Sequence, residues 1–186
     1  MKKDDIFDYR QRIDLKLLEH STHYLNGEIT SENTTDVIKW ILYENLSVTD
    51  QKVLTLYINS IGGDLYDAFA LMDVMRNSPH IIRTVGLGAV MSSAFLIFAS
   101  GTKGERWAST NASFMMHQYS DNLSGKHHDL KATMKDGELI NQRMINLLKN
   151  TTGLPASKVK TKLLSPTDVY LTAQEVVDLG VADHLI

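Results

Sequence analysis

Three side chains in this sequence could together form a serine nucleophile, its base and an orienting acid. Ser92 lies inside a run of small and apolar residues, His117 within FMMHQY, and Asp168 within the polar segment SPTDVYL. In such a relay the histidine accepts the hydroxyl proton, while the carboxylate fixes the histidine tautomer and stabilises the imidazolium. The chain has seven histidines, so residue type alone leaves open a structural role for His117 in the core.

Gly62 and Gly63 are a second feature with two interpretations. They follow the apolar run VLTLYINS and precede LYDAFALMDVMRN. One interpretation is a strand-to-helix turn that needs positive φ, which glycine adopts without steric cost. The other is that their bare backbone presents amides to a developing oxyanion, together with the amide after the nucleophile. Spacing alone does not separate the two.

The other histidines do not form a metal-binding pattern. His127, His128 and Asp129 are consecutive at the start of a polar helix, and adjacent helical residues do not share a face. We assign no role to His20 and His23. The sequence contains no cysteine, which excludes disulfides, a thiol nucleophile and thiolate ligands and fits a reducing compartment. We therefore expect neither a metal site nor a cofactor.

The run around Ser92 carries no charge over residues 84–102, a length that could cross a bilayer. Its glycines and hydroxyl residues argue against a lipid-facing helix, and the flanks lack an aromatic belt and a lysine and arginine bias. The better interpretation is a buried strand, IIRTVGLG, followed by a buried helix, SSAFLIFAS. A serine at that junction would lie at a helix N-terminus, where free amides point at the group it attacks.

Composition predicts one soluble domain with a substantial core, because 43% of the 186 residues are hydrophobic. Nucleic acid is not an expected partner, since 19 basic residues do not outnumber 22 acidic ones and the net charge is -3. The N-terminal segment MKKDDIFDYRQRIDLK lacks the apolar core of a signal peptide. We expect a cytoplasmic protein that does not interact with membranes.

Strand and helix patterns alternate along the chain. HYLNGEI, VLTLYINS and IIRTVGLG have strand patterns, and each precedes a helical pattern: TTDVIKWILYEN with Thr34 or Thr35 as cap, LYDAFALMDVMRN, and SSAFLIFAS. This alternation predicts βαβ units and a largely parallel sheet with helices outside. RWAST and ASFMMHQY are two further short strands. Near the C-terminus, Thr172 and Glu175 have the spacing of a capping box.

Residues 127–151 form the longest helical pattern, which ends at Gly153 as a C-cap residue. Gly137 within it costs about 1 kcal/mol relative to alanine, which allows a break or bend there. A helix this long must bury its apolar stripe, and a partner subunit is the simplest surface to cover it.

Three segments in order resemble the ClpP family, the proteolytic subunits of the Clp protease. These segments are YINSIGGDLYDAFALMDVM, GLGAVMSSAFLIFASGTKGERWASTNASFMMHQ and DVYLTAQEVVDLGVADHLI. The similarity runs from about Asn26 to the end. It implies an N-terminal arm over residues 1–25, similar to an axial loop, and one peptidase domain over residues 26–186. The implied fold is an α/β spiral of βαβ units of the ClpP/crotonase type, a head domain with a protruding handle helix and strand at about residues 120–149.

Carried over by position, the resemblance implies Ser92 as nucleophile, His117 as general base and Asp168 as its orienting acid. The choice of Ser92 over Ser93 rests on spacing: an ungapped match of GTKGERW and His117 places the family serine 25 residues before the histidine, at Ser92.

The resemblance also implies an oxyanion hole formed by the amides of Gly63 and Ser93. An extended substrate would lie between the side of Gly62 and Gly63 and the strand after His117. Adding a substrate strand in this way reads backbone more than side chains. Cleavage would then tolerate many sequences.

The implied protein is a serine endopeptidase without a cofactor. Members of the family are homo-oligomers of two stacked heptameric rings around a chamber, fed with unfolded polypeptides by an AAA+ unfoldase. By resemblance we expect the same assembly, partner and substrates here, in the interior of a bacterium, an organelle or a host cell.

The chain also departs from the family near the expected cleft. Ile61 and Tyr119 replace family prolines, and Thr167 stands near the position of an arginine that takes part in ring-to-ring contacts. Two alternatives therefore stay open. One is a catalytically silent or partner-dependent ring subunit, and the other is an acyl-CoA hydratase or isomerase, which shares the spiral scaffold.

Overall fold

Strands and helices alternate through the first half of the chain, as the periodicity predicts. The computed structural model describes residues 9–46, 50–120 and 124–186. Its elements are, in chain order, α1 (Tyr9–Glu19), β1 (Thr22–Ile29), α2 (Ser31–Asn45), β2 (Val53–Gly63), α3 (Leu65–Asn77), β3 (Ile81–Met91), α4 (Ser93–Ala99), β4 (Arg106–Ala108), β5 (Ser113–Met116), α5 (His127–Thr152), α6 (Ala156–Lys162), β6 (Val169–Leu171), α7 (Ala173–Asp178) and β7 (His184–Leu185). The expected α/β class is confirmed.

The sheet divides at β3, which pairs with two strands. The main order is β1-β2-β3-β4-β7 with parallel neighbours, and β5 pairs with β3 in parallel and with β6 antiparallel. Residues 84–86 of β3 pair with β4, and residues 89–91 pair with β5. Between them Gly88 has φ +55°, and a Cβ there would lie 2.7 Å from Asn59 Oδ1. Glycine is therefore required where the sheet divides.

Helix α4 is the centre of the core, with all seven of its residues buried. Phe95 and Phe98 contact Phe114 of β5, with ring centroids 6.3 and 5.3 Å apart. Each buried phenylalanine contributes about 1.5–3 kcal/mol of transfer free energy. The uncharged run is thus a strand end and a core helix, and no helix in the described ranges is long and apolar enough to cross a membrane.

Helix α2 begins earlier than the sequence suggested. Thr30 is the N-cap residue, and its amide donates to Asn33 Oδ1 at 3.0 Å. The Asn33 side chain also donates to the Glu28 carbonyl at 2.7 Å, which ties the helix start to the end of β1. The prediction of Thr34 or Thr35 as the cap was wrong. The N-cap residue is Thr30, one turn earlier, and Asn33 provides its capping contact.

The segment expected as a polar arm, residues 1–25, includes α1 and the first residues of β1. Strand β1 pairs with β2 from Thr22 opposite Thr55 to Ile29 opposite Gly63. The end of the arm is therefore part of the sheet. Residues 1–8 lie outside the described part of the chain.

The long helix near the C-terminus is confirmed as α5, which ends at Gly153 with φ +74°. The capping box of α7 is also confirmed: the Thr172 amide donates to Glu175 Oε2 at 2.8 Å, and the Glu175 amide donates to Thr172 Oγ1 at 3.2 Å. The handle expected at residues 120–149 includes most of α5, but residues 121–123, where its strand could begin, lie outside the described residues.

Candidate active site

Ser92 connects β3 to α4 in a strained backbone conformation. It is the N-cap residue of α4, with φ +53° and ψ -123°. A positive φ costs a non-glycine residue on the order of 1–3 kcal/mol, and such residues cluster at active sites and switch regions. The Ser92 amide donates to the Met115 carbonyl of β5 at 2.9 Å, which ties the strained residue to the strand that leads to His117. A strained serine between a strand and a helix is also the geometry of a nucleophile elbow.

The two adjacent serines lie in different environments. Ser92 is half-buried, whereas Ser93 is fully buried and its Oγ has no hydrogen-bond partner. A substrate carbonyl could approach the Ser92 hydroxyl, but it could not approach the Ser93 hydroxyl without a rearrangement of the core. This difference supports the choice of Ser92 that spacing suggested.

The glycine pair lies at the end of β2, directly beside the serine. A Cβ on Gly62 would lie 2.7 Å from Ser92 Cβ and 3.2 Å from the Ser93 amide nitrogen. A Cβ on Gly63 would lie 2.3 Å from the Ile29 carbonyl oxygen of β1. Both glycines are therefore needed for close backbone approach, and Gly62 is the one in contact with Ser92.

The amides around Ser92 include donors that helix α4 cannot pair. Phe95 is the first residue of α4 whose amide donates to the carbonyl of the N-cap residue, Ser92, at 3.0 Å. Ser93 precedes it, in the first turn, where amides have no partner within the helix. The Gly62 amide instead donates to Ser60 Oγ at 3.1 Å. The amide of Gly62 is therefore already paired.

His117 follows directly after β5, which ends at Met116. The imidazole is half-buried, and its Nδ1 contacts the carbonyl oxygen of Gln118. Strand β3 ends beside β5 in a parallel register, with Met91 opposite Met115. Ser92 and His117 therefore leave the C-terminal ends of two adjacent strands.

Asp168 directly precedes β6, which pairs antiparallel with β5. Met116 lies opposite Val169 at the end of this pairing, so His117 and Asp168 are the next residues beyond it on the two strands. The Asp168 side chain is exposed. The topology thus brings together three residues that are distant in sequence.

The hydrogen bonds of a complete relay are not formed. Among the described residues, no hydrogen bond joins His117 to Ser92 or to Asp168, and Nδ1 is directed at Gln118 instead. Catalytic hydrogen bonds are often long or poorly aligned before substrate binds. In this structure His117 Nδ1 therefore faces a backbone carbonyl and not a carboxylate.

Two contacts in the elements around this site could not be read from the sequence. The carbonyl of Met115, which holds the Ser92 amide, is a backbone group and leaves no signal in the sequence. Tyr66, just after the glycine pair, donates from its hydroxyl to the Asp136 carboxylate of α5. Within the described ranges, no group of three or more His, Asp or Glu side chains is arranged to hold a metal ion.

Comparison with known proteins adds independent information. A model of the Clp protease family matches residues 8–186. The chain is 32% identical over 184 residues to ATP-dependent Clp protease proteolytic subunit 2 of Corynebacterium glutamicum, covering 98% of this chain and 86% of that protein. It is 30% identical over 171 residues to ATP-dependent Clp protease proteolytic subunit 1 of Leifsonia xyli subsp. xyli, covering 91% of this chain and 85% of that protein. It is 28% identical over 172 residues to subunit 2 of Thermobifida fusca, covering 92% and 83%.

Proposed function

The chain belongs to the Clp protease family, and from this membership we propose that it is a serine-type endopeptidase with Ser92 as nucleophile. The family supports a peptidase role, and the strained backbone of Ser92 between β3 and α4 carries the assignment of the nucleophile. His117 and Asp168 complete the proposed relay, because the strand register brings both to the same end of the sheet.

In the proposed reaction, Ser92 Oγ attacks the carbonyl carbon of the scissile peptide while His117 Nε2 takes the hydroxyl proton. His117 then gives this proton to the departing amine, which leaves an acyl ester on Ser92. Water attacks the ester with His117 again as base, and the peptide acid is released. Asp168 holds the protonated ring once Nδ1 has turned to it from the Gln118 carbonyl.

The amides of Gly63 and Ser93 stabilise the negative charge of the tetrahedral intermediate. The Ser93 amide has no partner within helix α4, and the Gly62 amide is already occupied by Ser60. Donors held in place before the reaction lower the barrier most, and losing one donor costs about 10²–10³ in kcat in a well-studied serine protease. Gly62 serves instead as the bare surface against which Ser92 and the substrate lie.

The substrates we propose are unfolded polypeptides and short peptides. An extended chain would lie beside Gly62 and Gly63 and along the segment after His117, with its backbone hydrogen-bonded as an added strand. Such binding selects an extended backbone more than a sequence.

The proposed assembly is two stacked heptameric rings, with residues 120–149 as the handle between them. The relatives are named as ATP-dependent proteolytic subunits, which supports an AAA+ unfoldase as partner and the cell interior as location. Residues 1–25 are proposed as the arm on the side of the ring where the unfoldase binds.

A second candidate is a ring subunit that becomes active only when a partner aligns its relay. The contact of His117 Nδ1 with the Gln118 carbonyl favours it, because this nitrogen must face Asp168 during catalysis. An acyl-CoA hydratase or isomerase has no such support, since the family match covers residues 8–186.

Peptide cleavage tests the proposal. The purified protein, Ser92→Ala and Ser157→Ala are compared on a fluorogenic dipeptide and on unfolded casein, with particle mass measured for each. Ser157 is an exposed serine of α6, which makes it a matched control. We expect the wild type and Ser157→Ala to cleave and Ser92→Ala to be inactive, all with the particle mass of two stacked heptameric rings. An assembled but inactive wild type would contradict the proposal, and activity restored by an added partner would favour the second candidate.

A further inference from the structure

The segment that carries His117 is anchored on both sides, by the pairing of β5 before it and by further contacts after it. Strand β5 ends at Met116, so His117 lies just outside the last pairing of the sheet. After it, the Gln118 side chain donates to the Leu164 carbonyl at 3.0 Å. The next residue, Tyr119, contacts helix α5. The position of the imidazole therefore depends on how this short segment is anchored after the strand ends.

The ring of Tyr119 packs against the bare backbone of Gly137 in α5. A Cβ on Gly137 would lie 3.1 Å from Tyr119 Cε1 and 3.2 Å from Cδ1, closer than side chains normally pack. Gly137 is buried, and glycine is unfavourable in the middle of a helix. The absence of a side chain at Gly137 is thus explained by the space that the Tyr119 ring occupies.

A hydrogen bond also fixes the backbone of Tyr119 to the same helix. The Tyr119 amide donates to Asn141 Oδ1 at 3.0 Å. Asn141 lies four residues after Gly137, so both contacts come from one face of α5. A proline at this position would have no N–H and could not make this bond.

The same turn of α5 also contacts the other side of the cleft. Asp136, the neighbour of Gly137, accepts a hydrogen bond from the Tyr66 hydroxyl. Tyr66 is in the first turn of α3, the helix that follows the glycine pair and is capped by Asp64. Residues 136–141 of α5 therefore contact the chain shortly after Gly63, one of the proposed oxyanion donors, and shortly after the proposed base.

We propose that Tyr119 is a positioning residue for His117, seated on Gly137 and Asn141 of α5. It touches no reacting atom and acts by fixing where the imidazole lies relative to Ser92. The inference rests on the proposed peptidase function. It adds that helix α5, through Tyr119, sets the geometry of the relay within one subunit.

The first test adds a methyl group at position 137, beneath the Tyr119 ring. Gly137→Ala would favour the helix by propensity, but the Tyr119 ring must move by a few tenths of an ångström to admit it. We expect kcat for a fluorogenic peptide to fall roughly tenfold, since small misplacements of a catalytic group can cost up to about 10². KM and particle mass should stay as in the wild type. Glu138→Ala, on the exposed side of the same turn, is the matched control.

The second test changes the hydrogen bond and keeps the ring. Asn141→Ala removes the acceptor of the Tyr119 amide, whereas Asn141→Asp retains an oxygen there. We expect kcat to fall in Asn141→Ala and to recover in Asn141→Asp. The rate at which a serine-reactive phosphonate labels Ser92 should follow kcat in both variants. A purely structural contact would lower the unfolding temperature without this parallel loss.

The outcomes separate this inference from the proposed function. A wild-type particle that neither cleaves peptides nor reacts with the phosphonate overturns the peptidase and the positioning role together. An active wild type whose Gly137→Ala and Asn141→Ala variants keep the wild-type kcat overturns the positioning role alone. The expected fall in kcat, with KM unchanged and recovery in Asn141→Asp, supports it.

Discussion

Gly62 and Ser92 are in such close contact that a Cβ on the glycine would lie 2.7 Å from the serine Cβ. The same atom would lie 2.8 Å from the Met91 carbonyl oxygen. The end of β2 is therefore packed directly against the strained junction of β3 and α4. Any side chain at Gly62 must therefore shift either the end of β2 or the junction that holds Ser92.

This contact predicts that Gly62→Ala removes peptidase activity while the chain still folds. Gly104→Ala is the control, because Gly104 also has positive φ, +91°, but its Cβ would meet nothing within 4 Å. Both substitutions introduce the strain of a positive φ, about 1–3 kcal/mol. Only Gly62→Ala also displaces Ser92. Phosphonate labelling and thermal unfolding measure the two effects separately. Equal labelling of both variants would show that the contact does not position Ser92.

Ser93→Ala is expected to stabilise the protein. The buried Ser93 hydroxyl has no partner, and an unsatisfied buried polar group costs about 1–3 kcal/mol. Alanine removes this cost and keeps the amide that we propose as an oxyanion donor. The thermal unfolding midpoint should rise, and Ser92 should still react with a phosphonate. If Ser93→Ala instead abolished labelling, the choice between the two serines would be reversed.

The elements that the sequence predicts well are those set by local pattern. Helix α3 covers the expected LYDAFALMDVMRN, and Asp64 caps it by accepting from the amides of Tyr66 and Asp67. Apolar periodicity and a capping residue are contained within a few neighbouring positions, so no distant partner is needed to predict them.

Two element bounds were predicted poorly for different reasons. Strand β2 extends to Gly63 because that residue pairs with Ile29 of β1, a distant partner that a local pattern does not contain. The contacts that begin helix α2 are local, from Asn33 to Thr30 and to Glu28, but asparagine stands where a capping box usually has Glu or Gln.

The candidate site shows the same division. The resemblance supplied its residues, but the positions of His117 and Asp168 just beyond one pairing follow from the β5 and β6 register. Tyr119 was visible in the sequence only as a departure from a family proline. Its packing on Gly137 joins a loop to a helix, and only the folded chain shows it.

The ion pair between Arg106 and Asp183 predicts how stability depends on pH. Arg106 Nε and Nη2 donate to the carboxylate at 2.7 and 2.6 Å, and the Gly104 amide donates at 2.8 Å. Burial alone would raise the pKa of Asp183, but these hydrogen bonds hold it below its usual value. The ionised form is therefore favoured by folding, and its contribution is complete above the unfolded pKa of about 3.9.

Asp183→Asn should lose about 3 kcal/mol of unfolding free energy near neutral pH, because Arg106 stays buried at 3% exposure without its anion. The deficit relative to wild type should be constant from about pH 5 to 8 and should shrink only below about pH 4, as the wild-type carboxyl is protonated. Urea unfolding at several pH values measures it. A deficit that varies between pH 5 and 8 would assign the effect to another group.

The contact of Tyr66 with Asp136 predicts a change in a phenol titration. The hydrogen bond to the carboxylate raises the pKa of Tyr66, with smaller effects from burial and from the charge of Asp136. In Asp136→Asn the Tyr66 pKa should fall toward its ordinary value, while Glu138→Gln leaves it raised. Ultraviolet titration of each protein, minus the same protein with Tyr66→Phe, isolates this tyrosine. An unchanged curve in Asp136→Asn would mean that α3 and α5 are not joined there.

We propose that His117 activates Ser92, and this can be tested by identifying the residue that a serine-reactive phosphonate labels. The assembled wild type and His117→Ala are treated with the probe, and the modified peptide is sequenced by tandem mass spectrometry. We predict a single label on Ser92 in the wild type and a loss of labelling rate of about 10²–10⁴ in His117→Ala, the range expected for removal of a general base. A label on Ser93, or labelling of Ser92 at the same rate without His117, would contradict the account.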